Sequence, residues 1–209
     1  MPEAGQVVLV HGLWMTGAEA TLFRHRLAAR GYVVRQYHYH SGSATAATVL
    51  AGLRDEVLGL GGPVHLVGHS LGGLVIMRLL EAYPELPVAR VVLLGAPVNG
   101  SRAAAGLVRL TGSDWMFGPM ASDELLAGTP RVWQHAAPVG VVAGTQSLGL
   151  GRFICGLDGP NDGTVAVAET RLAGASGHLE LGVSHVGFML SQGVVEATAA
   201  FLATGSFSA

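Results

Sequence analysis

The chain has 209 residues, half of them hydrophobic, with only 12% charged side chains and a formal net charge of -2. That length suffices to bury one substantial core and is short for two, so a single domain over residues 1–209 is expected. No basic face is available for a run of phosphates or an anionic membrane surface, which disfavours nucleic-acid binding.

Stable membrane insertion is also disfavoured. Mean hydropathy is positive, yet apolar runs such as residues 7–10 and 91–94 fall far short of the ~20 residues a bilayer needs. The first residues lack the basic start, long apolar middle and small-residue cleavage site of a leader, so a cytoplasmic location is expected; a mature secreted form fits the same sequence. The single cysteine, Cys155, can form no internal disulfide and reads as a small buried hydrophobe.

Short Val- and Leu-rich runs alternate with longer stretches of helical apolar spacing, and Gly, Ser or Pro marks each junction. In chain order the spacing predicts strand 7–10, helix 18–29, strand 32–37, helix 44–58, strand 64–67, helix 71–82 and strand 91–94. After an irregular stretch come strand 139–143, strand 179–183 and helix 194–202. This rhythm predicts an α/β fold, a three-layer sandwich in which a mostly parallel sheet of about six strands carries helices on both faces. Between residues 96 and 138 the regularity fails: 101–110 reads as a short helix, and Trp115, Met116 and Phe117 form an aromatic patch beside Gly118-Pro119. The segment is either a small cap, around residues 99–135, or an irregular connection whose aromatics plug the core.

The chemistry centres on Gly68-His69-Ser70-Leu71-Gly72. A serine hydroxyl is a weak nucleophile that must be presented sharply and given a base. Ser70 falls between a predicted buried strand and a predicted helix, on the strained turn that presents such a hydroxyl, with Gly68 and Gly72 leaving room for strand and helix to approach. Acyl transfer also needs N–H donors aimed at an oxyanion. Leu71, at the positive end of its helix, offers one. The second is expected from Val10-His11-Gly12-Leu13-Trp14, with the Leu13 amide as candidate and Trp14 as fallback, while His11 is expected to hold the loop.

A serine nucleophile needs a histidine base, itself oriented by a carboxylate. His185, just past the last predicted strand, is the candidate general base. His178 precedes that strand, at the wrong edge, and His69 is expected to be structural. The orienting carboxylate is expected at Asp162, in the tight turn Asn161-Asp162-Gly163, with Asp158 competing for the role. Tyr37-His38-Tyr39-His40 pairs two histidines without a third ligand, so no metal is expected. Gly149-Leu150-Gly151-Arg152 lacks the setting of a dinucleotide fingerprint and reads as a turn.

With Val8-Leu9-Val10-His11-Gly12, Gly68-His69-Ser70-Leu71-Gly72-Gly73, Asn161-Asp162-Gly163-Thr164-Val165 and Ser184-His185 in order, the chain resembles the small bacterial lipases and esterases of the α/β-hydrolase superfamily. It is also similar to the hydrolase core of the inositol-deacylase-like group. The resemblance implies Ser70 as nucleophile, Asp162 and His185 as its partners, the Leu13 and Leu71 backbones as oxyanion hole, and Leu94-Gly95-Ala96-Pro97-Val98-Asn99-Gly100-Ser101 as a strand end opening the cleft wall. The expected activity is cofactor-free hydrolysis of a small-molecule ester or lipid, with Trp14, Trp115, Met116 and Phe117 lining an acyl pocket. A thioesterase, acyltransferase or lyase on the same fold remains the alternative, and a non-catalytic binding protein a further one.

Overall fold

The structure, a computed structural model, describes residues 5–127, 130–148 and 157–207. Cys155 and Gly149-Leu150-Gly151-Arg152, expected as a turn, lie outside the described residues. Strands β1 (Gln6–Val10), β2 (Val33–Tyr37), β3 (Val64–His69), β4 (Val88–Leu94), β5 (Val139–Gly144) and β6 (Gly177–Leu181) form one six-stranded sheet in the order β2-β1-β3-β4-β5-β6. Every pairing is parallel. The helices are α1 (Thr21–Ala28), α2 (Ala46–Leu58), α3 (Leu71–Ala82), α4 (Arg102–Thr111), α5 (Pro119–Leu126) and α6 (Gln192–Thr204).

The central strands are largely apolar because both faces are covered, and their period of two sorts side chains between two cores. Val8, Val10, Leu66, Val91 and Leu93 pack with Val49, Leu53 and Leu74 of α2 and α3. Val7, Leu9, Val67, Val92 and Leu94 pack with Phe23 and Leu27 of α1 and Val194 and Phe201 of α6. Each such Val or Leu, fully buried, contributes roughly 1.5–3 kcal/mol relative to exposure.

Several elements differ from the expected bounds; β4, for example, begins at Val88 instead of residue 91. The last strand begins at Gly177 instead of residue 179: Gly177 and His178 are poor strand formers by composition, but pairing with Gly140 and Val141 of β5 extends the ladder through them. Helix α5 has no counterpart in the sequence reading, although Pro119 occupies its first turn, the position where proline starts a helix. Strand order reverses direction between β1 and β3, so their carboxyl ends flank a topological switch point, where open α/β sheets bind ligands.

Candidate active site

Ser70 lies at that switch point, between β3 and α3, with φ 53 and ψ -123. Its amide donates to the Leu94 carbonyl at 2.9 Å and its carbonyl accepts from Gly73 at 3.0 Å, which pins the turn to the end of β4. A Cβ at Gly68 would lie 2.6 Å from the Gly73 Cα, so these two glycines let β3 and α3 close on each other. Gly72 has a different task from the expected one: a Cβ there would run into the Val10 carbonyl, so it seats the first turn of α3 on the end of β1.

The loop after β1 is braced from behind. The His11 ring stacks on Tyr39 at 4.4 Å and 14°, and its Nδ1–H donates to the Gly12 carbonyl at 2.9 Å. Tyr39 returns a hydrogen bond from its hydroxyl to the His11 carbonyl at 2.8 Å. Burial lowers the His11 pKa, so the ring is a neutral brace, as the sequence suggested. Trp14 has φ 56, and its amide donates to Ser41 Oγ at 3.0 Å. That amide is therefore engaged, whereas among the described residues the Leu13 and Leu71 amides donate to no protein atom. The Ser41-Gly42 pair signals a cleft-side loop in the sequence, but residue type alone does not reveal that Ser41 Oγ takes the Trp14 amide.

His185 follows β6 and is held at three points. Its Nδ1 bonds Asp162 Oδ2 at 2.7 Å, its amide donates to the Asp162 carbonyl at 2.8 Å, and its carbonyl accepts from His69 Nε2–H at 3.0 Å. Asp162 is fully buried. Its other oxygen, Oδ1, accepts from the amides of Thr164 at 2.9 Å and Val165 at 2.7 Å, and a Cβ at Gly144 would sit 2.7 Å from the Asp162 Cβ. A carboxylate locked by its own turn and aimed at Nδ1 leaves His185 Nε2 free to exchange a proton. Asp158, by contrast, has a 93% exposed side chain and lies 3.6 Å from Arg102. Ser70 Oγ makes no hydrogen bond to the described protein, a contact that commonly tightens only around substrate.

The aromatic residues divide. Trp14 stacks on Phe117 at 6.0 Å, and its indole N–H donates to the Met116 carbonyl at 3.0 Å. Phe117 is buried in the core, while Trp115 is 77% exposed. His178 bonds Thr170 at 2.9 Å near the start of β6, away from Ser70. Among the described residues no group of His, Cys, Asp or Glu is arranged to hold a metal, and no helix is long and apolar enough to cross a membrane. Clefts of about 570 and 640 Å³ open elsewhere, one beside Asn99, Arg102 and Glu169 and one beside Met77 and Trp133. Neither is lined by Ser70, Asp162 or His185.

Solved structures share this architecture. The mature form of Bacillus licheniformis lipase BlEst2 superposes with a TM-score of 0.70 at 21% identity, covering 97% of this chain and 92% of that one. A Paleococcus ferrophilus monoacylglycerol lipase gives 0.61 at 18% identity over 99% and 96%, and a pyrethroid hydrolase from Sphingobium faniae JZ-2 gives 0.63 at 18% over 96% and 98%. At these identities the likeness is one of fold. No curated protein matches by sequence. The model of the alpha/beta hydrolase family matches residues 7–197, nearly the whole chain, and the chain belongs to that family.

Proposed function

We propose that the chain is a carboxylic-ester hydrolase in which Ser70 is the nucleophile, His185 the general base and acid, and Asp162 the orienting carboxylate. The observation that carries this reading is the 2.7 Å bond from His185 Nδ1 to an Asp162 whose other oxygen is already satisfied, on the sheet edge that presents Ser70. Ser70 Oγ attacks the ester carbonyl carbon while its proton passes to His185 Nε2. The carbonyl electron pair becomes an oxyanion facing the Leu13 and Leu71 amides. As the tetrahedral intermediate collapses, the alkoxide leaves with the proton from His185. Water, deprotonated by His185, attacks the acyl carbon; the C–Oγ bond breaks, the acid leaves and His185 returns the proton to Ser70 Oγ.

The segment between β4 and β5, α4 and α5 included, serves as a small cap. Trp14, Trp115 and Met116 border the acyl side, and Phe117 supports them from the core. The substrate is a small ester or lipid, handled without cofactor by a single domain in the cytoplasm. A panel of p-nitrophenyl esters of rising chain length, run on wild type and Ser70→Ala, tests the reading. Turnover should fall by several orders of magnitude in the variant; equal turnover by both proteins removes the mechanism. Preferential acyl transfer to an added alcohol would reassign the reaction to transfer.

A further inference from the structure

His69 is a buried titratable side chain that the proposed mechanism leaves unused. Its ring lies 4.9 Å from that of His185 and 5.8 Å from Phe188. Only Nε2 has a partner: the acceptor is the backbone carbonyl of His185, so Nε2 must carry the proton, and Nδ1 is buried without a partner. His69 is also the residue immediately before Ser70. One side chain on the nucleophile's own turn therefore reaches the backbone of the residue proposed as the base.

We infer that His69 is a positioning residue whose Nε2–H, held on the His185 carbonyl, sets the separation of Ser70 from His185. The inference rests on the ester-hydrolase reading for its catalytic consequence, though not for the clamp itself. Asp162 fixes the rotation of His185 and holds its amide, but Asp162 belongs to the turn after β5 and has no covalent link to the Ser70 turn. His69 supplies that link. Burial, with His185 and His11 as neighbours, pushes its pKa down to about 3, so the ring keeps one fixed donor and no charge beside the imidazolium that forms on His185.

Two variants separate the donor from the ring. His69→Phe keeps the volume and removes the donor, whereas His69→Gln retains an N–H at about the reach of Nε2. A shift of about 1 Å in a reacting pair can lower turnover about 100-fold. The Phe variant should therefore lose roughly 10- to 100-fold in kcat with little change in KM, and fluorophosphonate labelling of Ser70 should slow in parallel. The Gln variant should recover most of that loss. Wild-type kcat in His69→Phe, or equal losses in both variants at wild-type melting temperature, would overturn the inference. Long-range nitrogen–proton spectra of the wild-type ring test the clamp without any variant or activity. A neutral Nε2–H tautomer that does not titrate between about pH 5 and 9 is expected; an Nδ1–H tautomer or a titrating ring overturns the clamp. Wild-type protein without Ser70-dependent turnover would fail the ester-hydrolase reading alone, and the spectra would still decide the clamp.

Discussion

The catalytic edge and the crossover between β4 and β5 are held by different kinds of bond. At the edge, Ser70, Asp162 and His185 are held mainly by main-chain amides and carbonyls. These lie two or three residues away around Asp162 but are distant in sequence for the Ser70 and His185 amides, which meet Leu94 and Asp162. In the crossover, buried Glu124 pairs with Arg78 of α3 at 3.0 Å and with Arg131. Buried Glu169 similarly accepts the Arg102 amide at 2.7 Å, at the start of α4. The bonds at the edge tie three turns into one geometry, and two of them bring distant side chains, those of Asp162 and His69, onto His185. In the crossover, ion pairs between separate segments carry the fastening instead. The edge proposed to make and break bonds and the crossover proposed to shape the substrate are thus fastened differently.

The largest expected effect breaks the edge alone. Asp162→Asn keeps an oxygen for the Thr164 and Val165 amides but turns an N–H toward His185, imposing the wrong tautomer. Loss of kcat should be on the order of 10⁴-fold at near-normal melting temperature; unimpaired turnover would separate Asp162 from the mechanism. Glu124→Gln breaks the crossover instead and leaves Arg131 with its charge uncompensated. Urea unfolding should register about 3 kcal/mol of lost stability, with turnover of a short ester nearly unchanged, and a large kcat loss would merge the two regions.

Protons act next. Burial pushes His65 and His69 down to about 4 and about 3, below the ~6.5 of an unfolded chain. Between about pH 6.5 and 4 the unfolded state therefore binds more protons, and stability falls as pH drops, by up to about 1.4 kcal/mol per pH unit for each histidine. Chemical denaturation at stepped pH reads this slope; a flat profile contradicts it. The smallest effect is expected from Asp158→Asn, within about 2-fold in kcat and about 0.5 kcal/mol in stability, since its ion pair is exposed. A deep loss of activity there would return the acid's role to Asp158.

The same division explains what the sequence disclosed. The Ser70 turn, the Asn161-Asp162-Gly163 turn and Ser184-His185 are contiguous words, because turn chemistry is local, and the parallel sheet follows from buried apolar runs. Asp162 and Asp158 could be ranked by turn residues but not separated, since what distinguishes them is burial and the partner each meets in the fold. The pairing of Glu124 with Arg78 and Arg131 joins segments that no motif connects. Helix α5 had its proline signal, but the neighbouring Gly118 and aromatic residues suggested irregularity. Met116 contributes a carbonyl to Trp14, and a main-chain contribution leaves no trace in residue type.

Trp14 and Ser70 are the non-glycine residues with positive φ among those described, and they adjoin Leu13 and Leu71, the residues proposed as oxyanion donors. Such conformations cost about 1–3 kcal/mol each and persist only where the surroundings enforce them. The folded sheet thus behaves like a cocked spring, tensioned at the place proposed for the chemistry. Mild denaturant or heat should release that tension before the cores on either face give way. Turnover would then decay ahead of the helical signal, making activity a finer gauge of the tightness of this fold than its melting curve.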